Sequence, residues 1–211
     1  LATGRYMLLL NPDTVVQNEA LPRMVEFMDS NPRVGCLGPQ LLNPDGTVQP
    51  SCRQFLSYEV LLWEFTLLSR LFPRHQRFGR WRMGYFDHNS PREVDQPMGA
   101  CLMVRRGALG EVGLLDEDFF IFMNDQDLCY RLKEAGWINY FYPTPKVLHY
   151  KGVSVARARE RMIAVSQKAM YRWLTKHTRT RSRLLLPFFG FLLAMTAILR
   201  MALWRLLPEA V

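Results

Sequence analysis

Closely paired cysteines are missing from this sequence: Cys36, Cys52, Cys101 and Cys129 stand far apart, and no CxxC occurs. That excludes a cysteine zinc site and a disulfide framework, and it fits reduced thiols in a cytosolic compartment. Low-complexity tracts and internal repeats are absent too. With 49% apolar and 22% charged residues, disordered and collagen-like classes drop out. Residues 1–150 have no basic surplus, carrying 15 Lys and Arg against 17 Asp and Glu. A nucleic-acid-binding body would carry its basic patch there, so no nucleic-acid partner is expected. The formal net charge of +8 belongs instead to residues 151–211, with 12 basic residues against 2 acidic. A signal peptide and an initiator methionine are also lacking. The chain opens on Leu1-Ala2-Thr3-Gly4 and runs directly into an apolar strand, as the middle of a domain would.

What is there reads as α/β. Residues 6–10 form a continuous apolar run, expected to be a strand buried on both faces of a parallel sheet. A helix over 19–29 and a strand over Val34–Leu37 follow, then a turn at Asn43-Pro44-Asp45-Gly46. Val60–Phe72 is expected to be helical, and Arg74–Arg82 an Arg-rich loop. Strand–helix order returns with Ala100–Val104, Arg106–Val112, a helix over Leu128–Ala135 stopped by Gly136, and a strand over Ile138–Tyr142. Residues 157–183 read as a basic helix. The 16 residues Leu184–Leu199 carry no charge but contain Pro187 and Gly190.

Three places can carry chemistry. Asn11-Pro12-Asp13 ends the first strand, where α/β sheets bind ligands. A carboxylate there can share Mg²⁺ or Mn²⁺ with phosphate oxygens, although the same residues also make an ordinary turn. Asp116–Asp127 holds five acids in twelve residues among aromatics. Asp125 and Asp127 fall at a helix start, where they either cap free N–H groups or supply a general base. His149 follows a strand and is a candidate metal or diphosphate ligand beside a simpler surface or structural role. His75, His88 and His177 are assigned nothing.

Six segments, taken in order, resemble the family 2 glycosyltransferases, specifically their bacterial rhamnosyltransferase-like branch. They are Gly4–Thr14, Asn43–Gly46, Pro97–Arg106, Val112–Phe120, Asn124–Leu132 and Ala135–Trp137, with His149 after them; the likeness covers roughly residues 2–152. It implies a partial GT-A nucleotide-diphospho-sugar transferase fold, a mixed sheet flanked by helices with a C-terminal basic and apolar helical tail. Asp13, with His149 nearby, would hold a divalent metal (Mg²⁺ or Mn²⁺) on the donor diphosphate. Asp125 would be the catalytic base. Asn11, Gly99, Ala100, Asn124 and Asp127 would line the substrates, although Asp127 and Arg131 also read simply as holding the helix. Asn124 stands where the family most often has Glu, which removes a negative charge beside the base.

The implied function is inverting transfer of a sugar, rhamnose from a dTDP donor by family analogy, from a nucleotide-diphosphate donor to a cell-surface glycan or lipid-linked acceptor. The alternative is a non-catalytic membrane-associated remnant of this fold. The resemblance further implies nucleotide-binding strand–helix units ahead of residue 1, so the chain is expected to lack half of a donor site and to be inactive alone. The expected organisation is a catalytic region over 1–152, a basic helical linker over 153–183 and a membrane-associating segment over 184–211. The uncharged run is shorter than the roughly 20 residues of a membrane span, which favours peripheral association at the cytoplasmic face. A span ending near Arg200 and Arg205, or a core helix, are the other readings.

Overall fold

Nine consecutive buried residues, Val34–Leu42 (β3), form the spine of the sheet in the computed structural model, which describes residues 3–150, 159–178 and 180–206. The elements before it are β1 (Tyr6–Leu10), β2 (Thr14–Val16) and α1 (Ala20–Ser30). After it come β4 (Val48–Gln49), β5 (Cys52–Arg53), α2 (Tyr58–Phe65), α3 (Leu68–Leu71), β6 (Arg92–Glu93) and β7 (Gln96–Pro97). The chain continues through β8 (Cys101–Arg105), α4 (Arg106–Val112), α5 (Asn124–Glu134), β9 (Ile138–His149) and α6 (Arg159–His177). A 3₁₀ segment, Thr180–Leu185, leads into α7 (Leu186–Leu206).

The main sheet runs β1-β8-β3-β9-β2, with β4 beside β3 and β6 beside β9; β5 and β7 pair separately. It is mixed. β3 runs parallel to β9 and antiparallel to β8, and β1 runs antiparallel to β8 with Leu10 opposite Cys101. The first strand therefore departs from the expected parallel arrangement and forms an edge of the described sheet. Its apolar run is explained by cover on both faces. Tyr6 and Leu8 pack with Met24 and Met28 of α1, while Met7 and Leu9 pack with Leu109, Leu128 and Leu132 of α4 and α5. The same period-2 alternation splits β8, sending Cys101 and Met103 to the α1 side and Leu102 and Val104 to the α5 side.

Several elements outrun their expected limits. β3 extends to Leu42 through Pro39, and β9 to His149 through Pro143 and Pro145, because a register irregularity at Pro39–Gln40 absorbs the missing ladder bonds. The expected helix 60–72 breaks in two at Leu67, whose φ is 61°. The expected boundary at 152–153 lies outside the described residues.

The tail packs into the body. Trp173 of α6 is 1% exposed, lies against Phe55 and Tyr130, and donates its indole N–H to the Leu56 carbonyl at 2.9 Å. Leu186, Phe189, Leu193 and Ala197 form a buried stripe on α7, with Phe189 against Tyr58 of α2. Pro187 sits in the first turn, where its missing N–H costs nothing, so the helix runs unbroken. Trp173→Phe is expected to destabilise the protein by about 2 kcal/mol, from a cavity and an orphaned carbonyl. A urea titration checks this; an unchanged midpoint means α6 does not belong to the core.

The cysteines are free and buried. Burial pushes the thiols of Cys52 and Cys101 up to about 12, so they stay protonated and inert.

Candidate active site

Two half-sites meet along one short stretch of chain, Gln96–Cys101. The first begins at the end of β1. Asn11 donates its backbone N–H to the Ala100 carbonyl at 2.9 Å, so the turn Asn11-Pro12-Asp13 is pinned to the residue before β8. Tyr150 donates its N–H to the Asp13 carbonyl, and Thr14 pairs with His149 in the sheet, which seats the Asp13 turn against the end of β9. His149 Nε2 thereby comes within 3.4 Å of Asp13 Oδ1.

The ring's tautomer follows from its neighbour. Gln49 Nε2 lies 3.3 Å from the His149 carbonyl, an atom that only accepts, so the amide nitrogen faces that way. Gln49 Oε1 then faces His149 Nδ1 at 2.7 Å, so Nδ1 carries the proton. In the neutral ring, Nε2 presents a lone pair to Asp13 Oδ1, which is buried and makes no hydrogen bond. A carboxylate oxygen and an imidazole lone pair turned toward each other, with a side-chain amide orienting the ring from behind, are the donor set for a divalent cation. The residues present therefore fit a metal. No cluster of three or more His, Cys, Asp or Glu suited to a metal occurs among the described residues, so the remaining ligands would come from substrate and water.

The second half-site is the start of α5. Gly99 donates its N–H to Asp125 Oδ2 at 2.8 Å. A Cβ on Gly99 would stand 3.0 Å from the Asp125 Cβ and 3.1 Å from Oδ2, so the bare glycine lets the carboxylate approach. Phe122 and Met123 precede the helix with φ of 64° and 62°, a left-handed pair without glycine. Such strain persists where packing overrides it, here through Phe119 and Met123 in the core beneath α2 and α6. Gln126, 2% exposed, ties the helix start to the small sheet through the Leu56 N–H and the Gln96 side chain.

The other expected site residues sort themselves by what they touch. Asn124 Oδ1 accepts from the Asp125 N–H, and Asn11 is exposed at the strand end. Ala100 is 2% exposed and packs in the core, so only its backbone faces the site. Asp127 does not face substrate, contrary to its expected substrate-lining place. It is fully buried, with Oδ2 accepting from Arg131 at 2.8 Å and Oδ1 engaged by Lys176 and His177, each at 2.7 Å. Burial would raise its pKa, but hydrogen bonds from His177, Lys176 and Arg131 outweigh that and hold it well below the usual carboxylate range.

Sequence reasoning passed over three residues. His177 meets Asp127 from the tail. His88 is 1% exposed and accepts the N–H groups of Ser51 and Cys52 on Nε2 at 3.2 Å, which fixes β5; burial lowers its pKa and keeps it neutral. Arg53 of β5 lies within electrostatic range of Asp125. The one signal for it was a single arginine in an otherwise apolar and polar segment.

Comparison with known proteins gives a consistent picture. The profile of the family described as "Glycosyltransferase like family 2" matches residues 1–175. An N-acetylglucosaminyl-diphospho-decaprenol L-rhamnosyltransferase of Mycobacterium tuberculosis is 34% identical over 172 residues, covering 80% of this chain and 54% of its own length. The chain thus spans about half the length of that relative. The low-salt glycan biosynthesis hexosyltransferase Agl10 of Haloferax volcanii is 24% identical over 127 residues, covering 60% of this chain and 36% of its own. Among solved structures, GalNAc-T7 with UDP, GalNAc and Mn²⁺ matches with a TM-score of 0.50 and 14% identity, over 82% of this chain and 31% of that one, a likeness of fold.

Proposed function

The chain belongs to the glycosyltransferase family 2-like proteins, and on that footing we propose that it carries the catalytic base and the metal-binding half of an inverting sugar transferase. The observation that carries this reading is the Asp125 carboxylate held by the Gly99 N–H, one residue from the strand end that positions Asp13.

In this mechanism an acceptor hydroxyl sits against Asp125, which takes its proton as the oxygen attacks the donor's anomeric carbon. The new C–O bond forms on the face opposite the departing diphosphate, which leaves with the bonding electron pair, so configuration inverts. Asp13 and His149 would hold a divalent cation, Mg²⁺ or Mn²⁺, which when bound neutralises charge on the leaving diphosphate. Gln49 keeps the His149 lone pair aimed at that position.

The name of the M. tuberculosis relative supports L-rhamnose as the sugar and a lipid-diphosphate-linked sugar as the acceptor. An acceptor on a lipid calls for a membrane surface, and α7 offers one. Phe188, Phe191, Met195, Ile198 and Leu199 on it are 48–63% exposed, while its other side packs on the body. The stretch Ser182–Leu206 is long and apolar enough to cross a membrane. Arg205 nevertheless pairs with Glu160 at 2.7 Å, and the buried stripe holds the helix to the body, which favours lying on the cytoplasmic leaflet over spanning it.

The test is metal-dependent nucleotide binding. Asp13→Asn is expected to weaken Mn²⁺ binding in the presence of dTDP about 10–100-fold, as loss of a metal-positioning group does elsewhere. Titration of the full-length protein, followed by the Mn²⁺ electron paramagnetic resonance signal, reads this directly. Equal affinity in the variant sinks the metal assignment.

A further inference from the structure

The segment after α2 leaves large apolar side chains in solvent. Leu67, Leu71 and Phe72, in and beside the short helix α3, are 49–69% exposed. A braced framework presents them. Leu67 breaks the helix with its φ of 61°, Phe72 lies against Phe78 at 6.0 Å between ring centroids, and Phe78 meets Trp63 of α2 at 5.0 Å. Arg77 and Arg80 both pair with Glu59 of α2 at 2.9 Å, and Arg82 pairs with Glu64. The exposure is built into the fold, because these ion pairs and ring contacts hold the segment against α2.

The charge around these residues has one sign. Residues 65–86 contain five arginines and no Asp or Glu, and residues 161–208 contain no acidic residue either. Arg70 and Arg74 are exposed and, unlike Arg77, Arg80 and Arg82, make no ion pair among the described residues. Free cations beside large exposed apolar side chains suit a surface that is anionic outside and hydrocarbon beneath.

This surface joins the exposed side of α7. Phe65, at the end of α2, faces Phe189 at 6.3 Å between ring centroids, and Phe188, next to Phe189, is 56% exposed. Leu184 and Leu185, leading into α7, are 88% and 47% exposed, with the exposed Arg183 before them. Leu67 stands two residues beyond Phe65, so the two exposed sets meet across the Phe65–Phe189 contact. At its other end α2 begins two residues after Leu56, whose N–H is held by Gln126 beside Asp125. A leaflet bound at this surface is thereby tied to the helix start that carries the base.

We infer that residues 67–74 form a second membrane-binding element beside α7, inserting Leu71 and Phe72 into an anionic lipid leaflet with Arg70 and Arg74 on its headgroups. Two contacts, unlike one helix alone, fix the rotation of the catalytic region on the membrane. This rests on the reading of α7 as a helix lying on the leaflet.

The experiment measures flotation of the full-length protein with phosphatidylcholine vesicles, with and without phosphatidylglycerol. Thermal melting is the check on folding. Leu71→Ser with Phe72→Ser is expected to weaken binding to the mixed vesicles at least about 10-fold, through two lost apolar insertions. Arg70→Gln with Arg74→Gln is expected to weaken it by about 5-fold for each arginine and to leave binding to pure phosphatidylcholine unchanged. The arginine pair carries the comparison if the serine variant does not fold. Unchanged binding in either folded variant, or equal binding of the parent to the two kinds of vesicle, overturns the assignment. A change in the protein's own sedimentation with vesicle binding intact overturns it too, in favour of a contact between copies. Failure of the α7 reading shows separately, as vesicle binding that ignores Phe191→Ser with Ile198→Ser.

Discussion

Asp125→Asn is expected to lower turnover by about 10²–10⁴-fold, the contribution of a positioned general base, while leaving the fold and dTDP–Mn²⁺ binding intact. The asparagine oxygen can still accept from the Gly99 N–H, while the Gln126 N–H loses the oxygen it donates to in the parent. What disappears is the second lone pair on a charged group able to take a proton. Gly99→Ala is the informative companion. Its new methyl would lie 3.0 Å from the Asp125 Cβ, so the carboxylate must move by a few tenths of an ångström. A displacement of that kind should cost turnover with little loss of stability, because the base stays present but misaimed. Rates are measured on the full-length protein with a lipid-linked acceptor. A non-catalytic remnant of the fold predicts no change in either variant, and unchanged turnover in Asp125→Asn would remove Asp125 from the mechanism.

The sequence revealed this site unevenly, for physical reasons. Local pattern marks what a short segment does by itself. The apolar run 6–10 is a strand, Asn11-Pro12-Asp13 ends it, and Asp125 opens a helix, all as the residue types require. The partner of that strand is set by pairing across ninety residues, so its antiparallel edge position was not visible in a run that reads as doubly buried. The mixed α/β sheet and the C-terminal apolar helix, by contrast, appear as the family resemblance implied. Pro187 and Gly190 looked like interruptions because helix propensity disfavours both. Packing of Phe189 and Leu193 onto α2 and α6 overrides that preference. His88 looked like a loop histidine, and its role depends on backbone N–H groups 36 and 37 residues away. Residues 153–183 read as a basic helical linker, which concealed the contact that matters most for the helix bearing the base.

That contact supplies the second large effect. Asp127→Ala is expected to destabilise the protein by about 3–5 kcal/mol, the usual consequence of removing one member of a buried charge cluster. Arg131, Lys176 and His177 converge on the two oxygens of Asp127, and among the described residues only Lys176 has another carboxylate, Asp116 at 2.6 Å. Without Asp127, Arg131 of α5 and Lys176 of α6 face one another with no carboxylate between them. The cluster joins the tail helix to the first turn of α5, two residues from Asp125, so its loss should also loosen the base. Acid acts on the same group. Hydrogen bonds hold the folded-state pKa of Asp127 below its ordinary value of 3.8, so its stabilisation is complete above that pH and fades as pH falls through it toward the folded value. Asp127→Asn should therefore lower stability at neutral pH and flatten its decline below pH 4. Urea midpoints across that range check both expectations. A variant as stable as the parent at pH 7, or one with the same acid slope, means that Arg131, Lys176 and His177 are held by something other than this carboxylate.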